Sequence, residues 1–546
     1  MKCLLPAIFC FSILISNVIG QTQIRKQFGT MTTAKLSSIP DFVLPAIYKD
    51  RTAHPLPAVV NHETDAGAKT FCPPLNWCID GWSCANAAGV SFCYDYAVQT
   101  YANTPSSGNS PLYTYNYTYH FLNSANQAEG GDGWMFVEAF DILKQTGCPT
   151  STDFGGFDGA VDDANAWMTG YDKYYKAMKI RVDEYYKIDM SSASADELVK
   201  QIVYDYADGS ANGAMVCFQA NSESMPTSQI SGRKTLTSLG GGGGHALTIT
   251  GYDNSFQGGS WLCQAHWGTG DYWCPYSLLR SGTAWNNNPA GNKYAMFCRV
   301  KKNYSPKFTF KVNLTHNQRN NICIMTGVAS SPTATTPTKT KDYQGAFNYG
   351  GGSLPMCGTG KSSTIEIGLD LTDFQADVSS GQGTFFLTVI SKGGTGQVNT
   401  LALEDYTGTT VKEIPCSVTN KAISGTITLA VPWTGTISTS IDAKQTLETH
   451  PNNGLQATIG QGSHSILFNF PAAGVRNARL TIRSVLGQNV YSKSINQFSG
   501  TTAFESWNMK DNLGQSVANG TYIVSVDVRN LSGTIKQYVT KVFVRN

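Results

Sequence analysis

The chain has 546 residues, of which 14% are charged, and its formal net charge is +2. This length exceeds one ordinary domain and predicts two to four domains. The nearly balanced charge gives no case for nucleic acid or an anionic membrane surface as a partner. Together with the 54 glycines, the low charge content favours an exported, β-rich protein over a cytosolic helical one.

The N-terminus has the pattern of an export signal. Lys2 precedes an apolar run from Cys3 to Val18, so we predict a signal peptide at 1–20, followed by an N-terminal segment at 21–55. No later run reaches the roughly 20 apolar residues that span a bilayer, so we expect no transmembrane anchor. Twelve of the 14 cysteines follow the signal, and outside the cytosol most of them could pair.

Residues 56–300 carry both helical and strand patterns. Apolar residues recur at helical spacing over 85–102, which predicts a helix with one buried face. A second helical pattern runs from Phe136 to Gly147, a C-terminal stop. A capping box beginning at Ser194 predicts a third helix, and the run Ala214–Phe218 predicts a strand.

Two short segments of this region fit the two halves of a thiol catalytic pair. Cys84 follows Gly81-Trp82-Ser83 and begins the predicted helix, and His245 leaves the glycine run Gly240–Gly244 to enter a strand. A helix N-terminus favours negative charge, so a cysteine there is biased toward its thiolate. A histidine on a neighbouring strand can act as base and acid. Cys84 and His245 are therefore the candidate catalytic residues.

Several motifs in the same order resemble the papain-like cysteine peptidases over roughly residues 70 to 300. The nucleophile helix of a secreted bacterial branch of that family is similar to Ser83–Gly89. The family's Gly-Gly motif matches Gly130–Gly131. Its His-Ala and Gly-Tyr pairs match His245–Ala246 and Gly251–Tyr252, and the Trp-Gly-Thr after its active-site Asn matches Trp267–Gly270.

The resemblance implies a cysteine endopeptidase acting on protein or peptide substrates. Cys84 would attack the peptide carbonyl and His245 would shuttle the proton, through a thioester acyl-enzyme. No cofactor and no metal are expected, because the chain has no Cys-x-x-Cys and its other histidines lack metal-ligand spacing. Surface positions are expected for those histidines, which are His54, His62, His120, His316, His450 and His464.

The chain departs from the family at two supporting positions. The orienting Asn of the family falls on Ala265, whose neighbours Gln264 and His266 are the candidates for that role. The oxyanion-hole Gln falls on Cys78 or Ile79. Loss of one oxyanion donor can cost on the order of 10²–10³ in rate.

The register of the nucleophile helix has an alternative. The family often has a structural cysteine three residues before its nucleophile, and Cys84 in that role would leave Ala87 at the reactive position. The family's partner for that cysteine precedes the Gly-Gly motif, where this chain has Gln127-Ala128-Glu129. This favours Cys84 as the nucleophile. A different class of function is the alternative: a catalytically inactive papain fold that acts as a surface binding or structural protein.

The remaining chain has the patterns of two all-β domains. Residues 301–445 contain the alternating run Thr364–Leu371 and the apolar run Thr384–Ile390, which predict a β-sandwich resembling jelly-roll modules. A linker is expected at 446–462, before a last domain at 463–546. The fold class is thus an α+β papain-like domain, with a helical half and a β-barrel-like half, followed by two all-β sandwich domains.

The last block resembles the Ig-like C-terminal sorting domains of the type IX (Por) secretion system. The matching segments are Leu486–Tyr491, Trp507–Asn508, Asp511–Gln515, Ala518–Tyr522 and Lys541–Val544. The resemblance implies export by a Gram-negative bacterium, with the outer-membrane export machinery as a partner. The protein would then be secreted or held at the cell surface.

Overall fold

The computed structural model describes most of the chain in two compact units, residues 1–437 and 438–546. The predicted signal peptide lies outside the described residues. The described residues are 33–44, 55–65, 67–73, 83–102, 113, 116–123, 136–154, 165–204, 212–221, 226–239, 244–264, 271–281, 293–301, 304–343, 346–349, 351–435, 455–459, 466–472, 475–484, 489–495, 502–512, 515–518, 520–530 and 535–544.

The first unit is a mixture of helices and β-sheets. Its helices are α1 (Thr33–Ser38), α2 (Cys84–Asn86), α3 (Asp95–Ala102), α4 (Asn116–Leu122), α5 (Phe136–Thr146), α6 (Ser151–Phe154), α7 (Tyr171–Met178), α8 (Ala193–Tyr204) and α9 (Tyr276–Ser281). The π-helical segment Ala87–Tyr94 joins α2 to α3. One continuous helix, here called the central helix, therefore runs from Cys84 to Ala102, and the helix predicted to begin at Cys84 and to continue over 85–102 is confirmed.

Small residues allow the central helix to pack inside the protein. Every residue of Ala87–Tyr94 is buried. A Cβ atom on Gly89 would lie 3.3 Å from the Cβ of Phe136, so the glycine lets α5 approach closely. The predicted stop of α5 is confirmed at Gly147, whose φ of 71° places it in the left-handed region that glycine adopts readily.

The strand that carries His245 lies inside a sheet, with neighbours on both sides. The described strands before residue 301 are β1 (Val59–Asn61), β2 (Val182–Asp189), β3 (Val216–Asn221), β4 (Thr227–Ile230), β5 (Arg233–Leu236), β6 (Gly244–Asp253), β7 (Ser260–Gln264), β8 (Asp271–Pro275) and β9 (Tyr294–Val300). Their order is β2-β9-β3-β6-β7-β8-β5-β4, and β1 also pairs with β6. The pairs are antiparallel except β5 with β8.

A sandwich of two antiparallel sheets follows. Its strands are β10 (Phe308–His316), β11 (Ile322–Ala329), β12 (Lys339–Asp342), β13 (Thr364–Asp370), β14 (Gln382–Ser391), β15 (Gly396–Asp405), β16 (Lys412–Pro415), β17 (Lys421–Ala422) and β18 (Thr426–Thr434). One sheet has the order β13-β10-β15-β16 with β17 beside β15, and the other β12-β11-β14-β18. The sheets meet where the ring of Phe308 lies 5.0 Å from Phe385 and 5.2 Å from Trp433, centroid to centroid.

The helical region and the sandwich share one continuous hydrophobic core. Arg181, directly before β2, forms a buried ion pair with Asp370 of β13, with 2.7 Å between nitrogen and oxygen. The Arg181 guanidinium also lies 3.9 Å from the ring centroid of Tyr304. The predicted domain boundary at 300/301 therefore marks a change of secondary structure, not the end of a core, because strand periodicity carries no record of these long-range contacts.

A second buried cation, Arg319, adds to the contact between the helical region and the sandwich, here called the joint. The Arg319 side chain is completely buried and donates to the carbonyl oxygens of Gly351, Asn165 and Met356 at 2.7, 2.9 and 3.4 Å. Its guanidinium lies 4.3 Å from the ring of Trp167. Burial lowers the pKa of Arg319 to about 9, so the side chain remains a cation at neutral pH. Arg319 thereby attaches the turn around Gly351 to the helical region.

The second unit consists of two antiparallel sheets around its own core. Its strands are β19 (Gln456–Ile459), β20 (Ile466–Pro471), β21 (Val475–Ser484), β22 (Asn489–Ile495), β23 (Thr502–Trp507), β24 (Gly520–Asn530) and β25 (Ile535–Val544). The sheet orders are β19-β20-β23 and β22-β21-β24-β25. Because β19 pairs with β20, the sheet begins inside the segment 446–462 that we expected to be a linker.

Candidate active site

Cys84 occupies the first turn of the central helix. Ser83 precedes it, and the Ser83 carbonyl accepts a hydrogen bond from the amide of Ala87 at 2.9 Å, which closes the first helical turn. The Cys84 side chain is largely buried and keeps 8% of its surface exposed. The amide groups at a helix start favour a thiolate over a thiol. The candidate nucleophile thus lies at the start of the central helix, as the sequence predicted.

His245 is the second residue of β6. Its backbone pairs with Ala220 of β3, and its ring is almost completely buried. Burial lowers the pKa of His245 to about 4, because the imidazolium form loses its hydration there. The ring is therefore a neutral imidazole at pH 7 and can accept a proton. An imidazolium at this position would need a negative partner such as a thiolate.

The elements that carry Cys84 and His245 lie against each other. The first helical turn, α2, packs on β6. Three residues beyond His245, the Thr248 hydroxyl donates to the carbonyl oxygen of Ala88 across 3.4 Å. Two residues 161 positions apart in the sequence (245 minus 84) are thus carried on elements that meet at one junction between the helical core and the sheet.

The alternative register places Ala87 at the reactive position. Ala87 is completely buried, whereas Cys84 keeps a small exposed fraction. A group that attacks a substrate must be reachable, so exposure favours Cys84. Within the described residues, no disulfide joins any two of the eleven cysteines. Cys78 and the segment Gln127-Ala128-Glu129 lie outside the described residues.

Gln264, one of the two candidates for the orienting role, is the last residue of β7. It lies opposite Thr248 of β6, three residues along the strand from His245. Its side-chain nitrogen donates to Oε1 of Glu63 at 2.6 Å. The amide nitrogen of Gln264 is therefore engaged by a carboxylate. The second candidate, His266, lies with Ala265 and Trp267–Gly270 outside the described residues.

Glu63 belongs to a polar group that sequence reasoning missed. Besides Gln264, the hydroxyl of Thr250 donates to Glu63 Oε1 at 3.1 Å. Asp271 lies opposite Gln264 on the next strand, so the two side chains share a face of the sheet. Burial and the neighbouring carboxyl of Glu63 raise the pKa of Asp271 to about 8. The polar run His62-Glu63-Thr64-Asp65 after a short strand was the local signal for this group.

Three of the histidines expected at the surface are buried. His62 stacks on Tyr96 with ring centroids 4.9 Å apart, and its Nε2 lies 2.7 Å from the Val203 carbonyl oxygen. His120 and His316 are also buried. The surface expectation was wrong for these three, because a histidine with one backbone partner and an aromatic neighbour is readily accommodated in a core. Among the described residues, no group of three or more His, Cys, Asp or Glu side chains could hold a metal ion.

Comparisons with known proteins give weak similarities. No protein-family model matches the chain, and the search of curated proteins found no match. Procathepsin B S9 from Trypanosoma congolense is 14% identical over 50% of this chain and 87% of that chain, with a TM-score of 0.32. The Clostridium perfringens spore cortex lytic enzyme SleM is 11% identical over 24% of this chain and 36% of that chain, with a TM-score of 0.12.

The chicken interferon gamma receptor alpha chain is 7% identical over 46% of this chain and 91% of that chain, with a TM-score of 0.13. At these TM-scores the similarities do not establish a shared fold, so the functional case rests on the residues themselves. In the described part of the chain, no helix has the length and apolar character needed to cross a membrane.

Proposed function

We propose that the protein is a secreted cysteine endopeptidase with Cys84 as nucleophile and His245 as base and acid. The observation that carries this proposal is that the helix beginning at Cys84 packs, through its first turn, on the strand that begins next to His245. A thiol and an imidazole distant in sequence are thereby carried to one junction, as nucleophilic catalysis by cysteine requires.

The reaction follows from the chemistry of the two groups. The Cys84 thiolate attacks the carbonyl carbon of a peptide bond, and a carbon–sulfur bond forms as the carbonyl π electrons move to oxygen. When the tetrahedral intermediate collapses, the His245 imidazolium gives its proton to the departing amine and a thioester is left on Cys84. His245 then takes a proton from water, which attacks the thioester and releases the acid and the thiol.

The low pKa of His245 sets the electrostatic requirement for this scheme. An imidazole with a pKa of about 4 becomes protonated at neutral pH only if a nearby anion stabilises it. The Cys84 thiolate is the proposed anion, and the helix N-terminus stabilises that thiolate in turn. The thiolate–imidazolium pair and the neutral thiol–imidazole pair hold the same number of protons. Which of the two forms therefore depends on how well the surroundings stabilise the separated charges.

An orienting group would complete the site. Gln264 and His266 are the two candidates, and the side-chain nitrogen of Gln264 donates to Glu63. This engagement favours His266, the neighbour of Ala265 on its other side, for the role.

Covalent labelling tests the proposal directly. A thiol-directed epoxide should modify Cys84 selectively in the folded protein, as read by peptide mass spectrometry. His245→Ala should lose the selective labelling, since the partner that stabilises the thiolate is gone. Cys72→Ser is the matched control, because Cys72 is a half-buried thiol whose pKa is raised by burial, and it should leave labelling of Cys84 unchanged. Labelling spread evenly over several cysteines would contradict an activated thiolate.

An inactive binding or structural protein is the second candidate function. The observation in its favour is that Gln264, one of two side chains proposed to orient His245, has its amide nitrogen on Glu63. For this candidate, Cys84 should react with the epoxide no faster than an ordinary thiol, and the His245→Ala variant should react at the same rate as the wild type.

We propose further that the block 463–546 directs export across the outer membrane of a Gram-negative bacterium. Support comes from the separate core of the second unit and from the long final strand pair β24 and β25, which stay in register from Gly520–Val544 to Arg529–Ile535. The protein would accordingly be secreted or held at the cell surface, with the export machinery as its partner.

A further inference from the structure

Glu63, Gln264 and Asp271 form a compact group of oxygen-bearing side chains, here called the oxygen cluster. Gln264 donates to Glu63 at 2.6 Å, and Asp271 lies directly opposite Gln264 in the β7–β8 pair. The three residues come from the turn after β1, the end of β7 and the start of β8. They lie outside the proposed Cys84–His245 pair, and Gln264 is paired with Thr248, three residues along β6 from His245.

Two oxygen atoms of the oxygen cluster are buried without a hydrogen-bond donor. They are Oε1 of Gln264 and Oδ1 of Asp271. The Gln264 side chain is 99% removed from solvent, since its residue is only 1% exposed, and its amide end lies against Glu63. Buried polar atoms in native proteins nearly always have a partner. Two orphan acceptors on one face of the sheet therefore point to a positively charged ligand between them.

The chemistry of the cluster selects the ligand. Carboxylate and amide oxygens are the groups that hard divalent cations prefer, and Ca²⁺ accepts them in irregular arrangements with water completing its shell. Zinc and copper favour nitrogen and sulfur ligands instead. We propose that Glu63, Gln264 and Asp271 bind a Ca²⁺ ion, contrary to the sequence-based expectation of no metal.

The charge at this place agrees with the proposal. Two neighbouring carboxyl groups repel each other when both are ionised. A divalent cation between them would offset this repulsion. Glu63 and Asp271 are only half-buried, so an ion can reach them.

The sandwich offers a contrasting pair of acids. Glu404 and Glu413 are also neighbours on paired strands, and burial together with the neighbouring Glu413 raises the pKa of Glu404 to about 7. There the Lys311 ammonium lies 3.4 Å from Glu413, and neither acid has a buried orphan oxygen among the described residues. Because the Lys311 ammonium already neutralises part of the charge of this pair, we expect Glu404 and Glu413 not to bind Ca²⁺. Glu413→Gln is therefore a matched control.

Thermal unfolding of the full-length protein tests the site. After treatment with a chelator, added CaCl₂ should raise Tm by about 2–5 °C relative to NaCl of equal ionic strength. The increase should disappear in Glu63→Gln and in Asp271→Asn, and persist in Glu413→Gln. Absence of an increase in the wild type, or an equal increase in the Glu63→Gln and Asp271→Asn variants, would overturn the proposal.

Terbium luminescence supplies a second measurement that does not depend on the stability of the variants. Tb³⁺ replaces Ca²⁺ at oxygen sites, and Tyr272 and Trp273, which follow Asp271 directly in β8, are the expected sensitisers of its emission. The folded wild type should show sensitised emission that Ca²⁺ reverses, and Gln264→Met should bind Tb³⁺ at least tenfold more weakly. Emission that Ca²⁺ does not displace, or that Gln264→Met leaves unchanged, would count as binding elsewhere and would refute the assignment. Neither measurement depends on peptidase activity.

Discussion

The hydroxyl of Thr248 donates a hydrogen bond to the carbonyl oxygen of Ala88 across 3.4 Å. Both residues are buried, and the bond joins β6 to the central helix. Since His245 lies three residues before Thr248 and Cys84 four residues before Ala88, this contact joins the two elements close to both candidate catalytic residues.

Replacing Thr248 with Val keeps the side-chain shape and removes the bond. We expect a loss of about 0.5–1.5 kcal/mol in the free energy of unfolding and a several-fold slower reaction of Cys84 with a thiol-directed epoxide. Urea unfolding and timed labelling measure the two effects. Thr250→Val, which removes the bond to Glu63 on the same strand, is the control. It should cost similar stability without slowing the labelling, and equal slowing in both variants would contradict a specific role for Thr248.

A buried histidine predicts a loss of stability in acid. Burial lowers the pKa of His62 to about 4, against about 6.5 in an unfolded chain. The unfolded state therefore binds more protons between these values, so the stability contribution is complete above pH 6.5 and is lost as the pH falls toward 4. His62 should account for about 3 kcal/mol at most, since one pKa unit corresponds to about 1.4 kcal/mol.

Urea unfolding between pH 7 and 4 measures this dependence. His62→Phe keeps an aromatic ring against Tyr96 and removes one titrating group, so its unfolding free energy should depend on pH less steeply than that of the wild type. An unchanged slope in this variant would show that His62 does not titrate in this range.

The position of the family's orienting Asn predicts a gain of function. Ala265→Asn should increase peptidase activity several-fold if the amide reaches the imidazole of His245, and activity on a fluorogenic peptide measures the change. Ala265→Leu supplies bulk without an amide and should bring no gain. An equal effect of Asn and Leu would show that the position acts through packing. A loss of activity in Ala265→Asn with unchanged stability would indicate that His266 or Gln264 already fills the role.

The buried ion pair predicts that the helical region and the sandwich unfold together. Arg181→Leu leaves the Asp370 carboxylate buried without its cation, which should cost about 3–5 kcal/mol. Lys339→Leu removes an exposed ion pair with Asp377 and should cost less than about 1 kcal/mol. Fluorescence and circular dichroism should give a single coincident transition for residues 1–437. Two separate transitions in the wild type would mean that the shared core does not couple the regions.

Truncation tests the role of the second unit. A chain ending at residue 437 should fold and, if the site is active, retain activity, because the second unit has its own core. In a host with the type IX system, the truncated chain should remain behind the outer membrane. Normal secretion of the truncated chain would leave the second unit as an ordinary Ig-like module. The cut belongs before β19, not at residue 462, since β19 pairs with β20.

Local sequence patterns predicted the helices and strands around the site, but not the contacts that these elements make with one another. The central helix and α5 were recognisable because apolar spacing and a terminal glycine are properties of neighbouring residues. The ion pair between Arg181 and Asp370 was not, since its partners lie 189 positions apart and no periodicity links them.

The same dependence on local patterns explains which residues of the candidate site could be predicted from the sequence. Cys84 and His245 could be proposed from the sequence because each lies in a recognisable local motif. Glu63 and Asp271 were missed because the polar run around Glu63 does not reveal its partners, and only the pairing of β7 with β8 brings Asp271 opposite Gln264, which donates to Glu63. The burial of His62 depends likewise on Tyr96 and Val203, which are distant in sequence.

The environment of Arg319 has a consequence for how the chain folds. Its guanidinium supplies the donors for the carbonyl oxygens of Gly351, Met356 and Asn165, groups that come from both sides of the joint. Until Arg319 arrives, these carbonyls can be satisfied only by water. The turn around Gly351 is therefore expected to become ordered late, after the helices and the first sandwich strands have met.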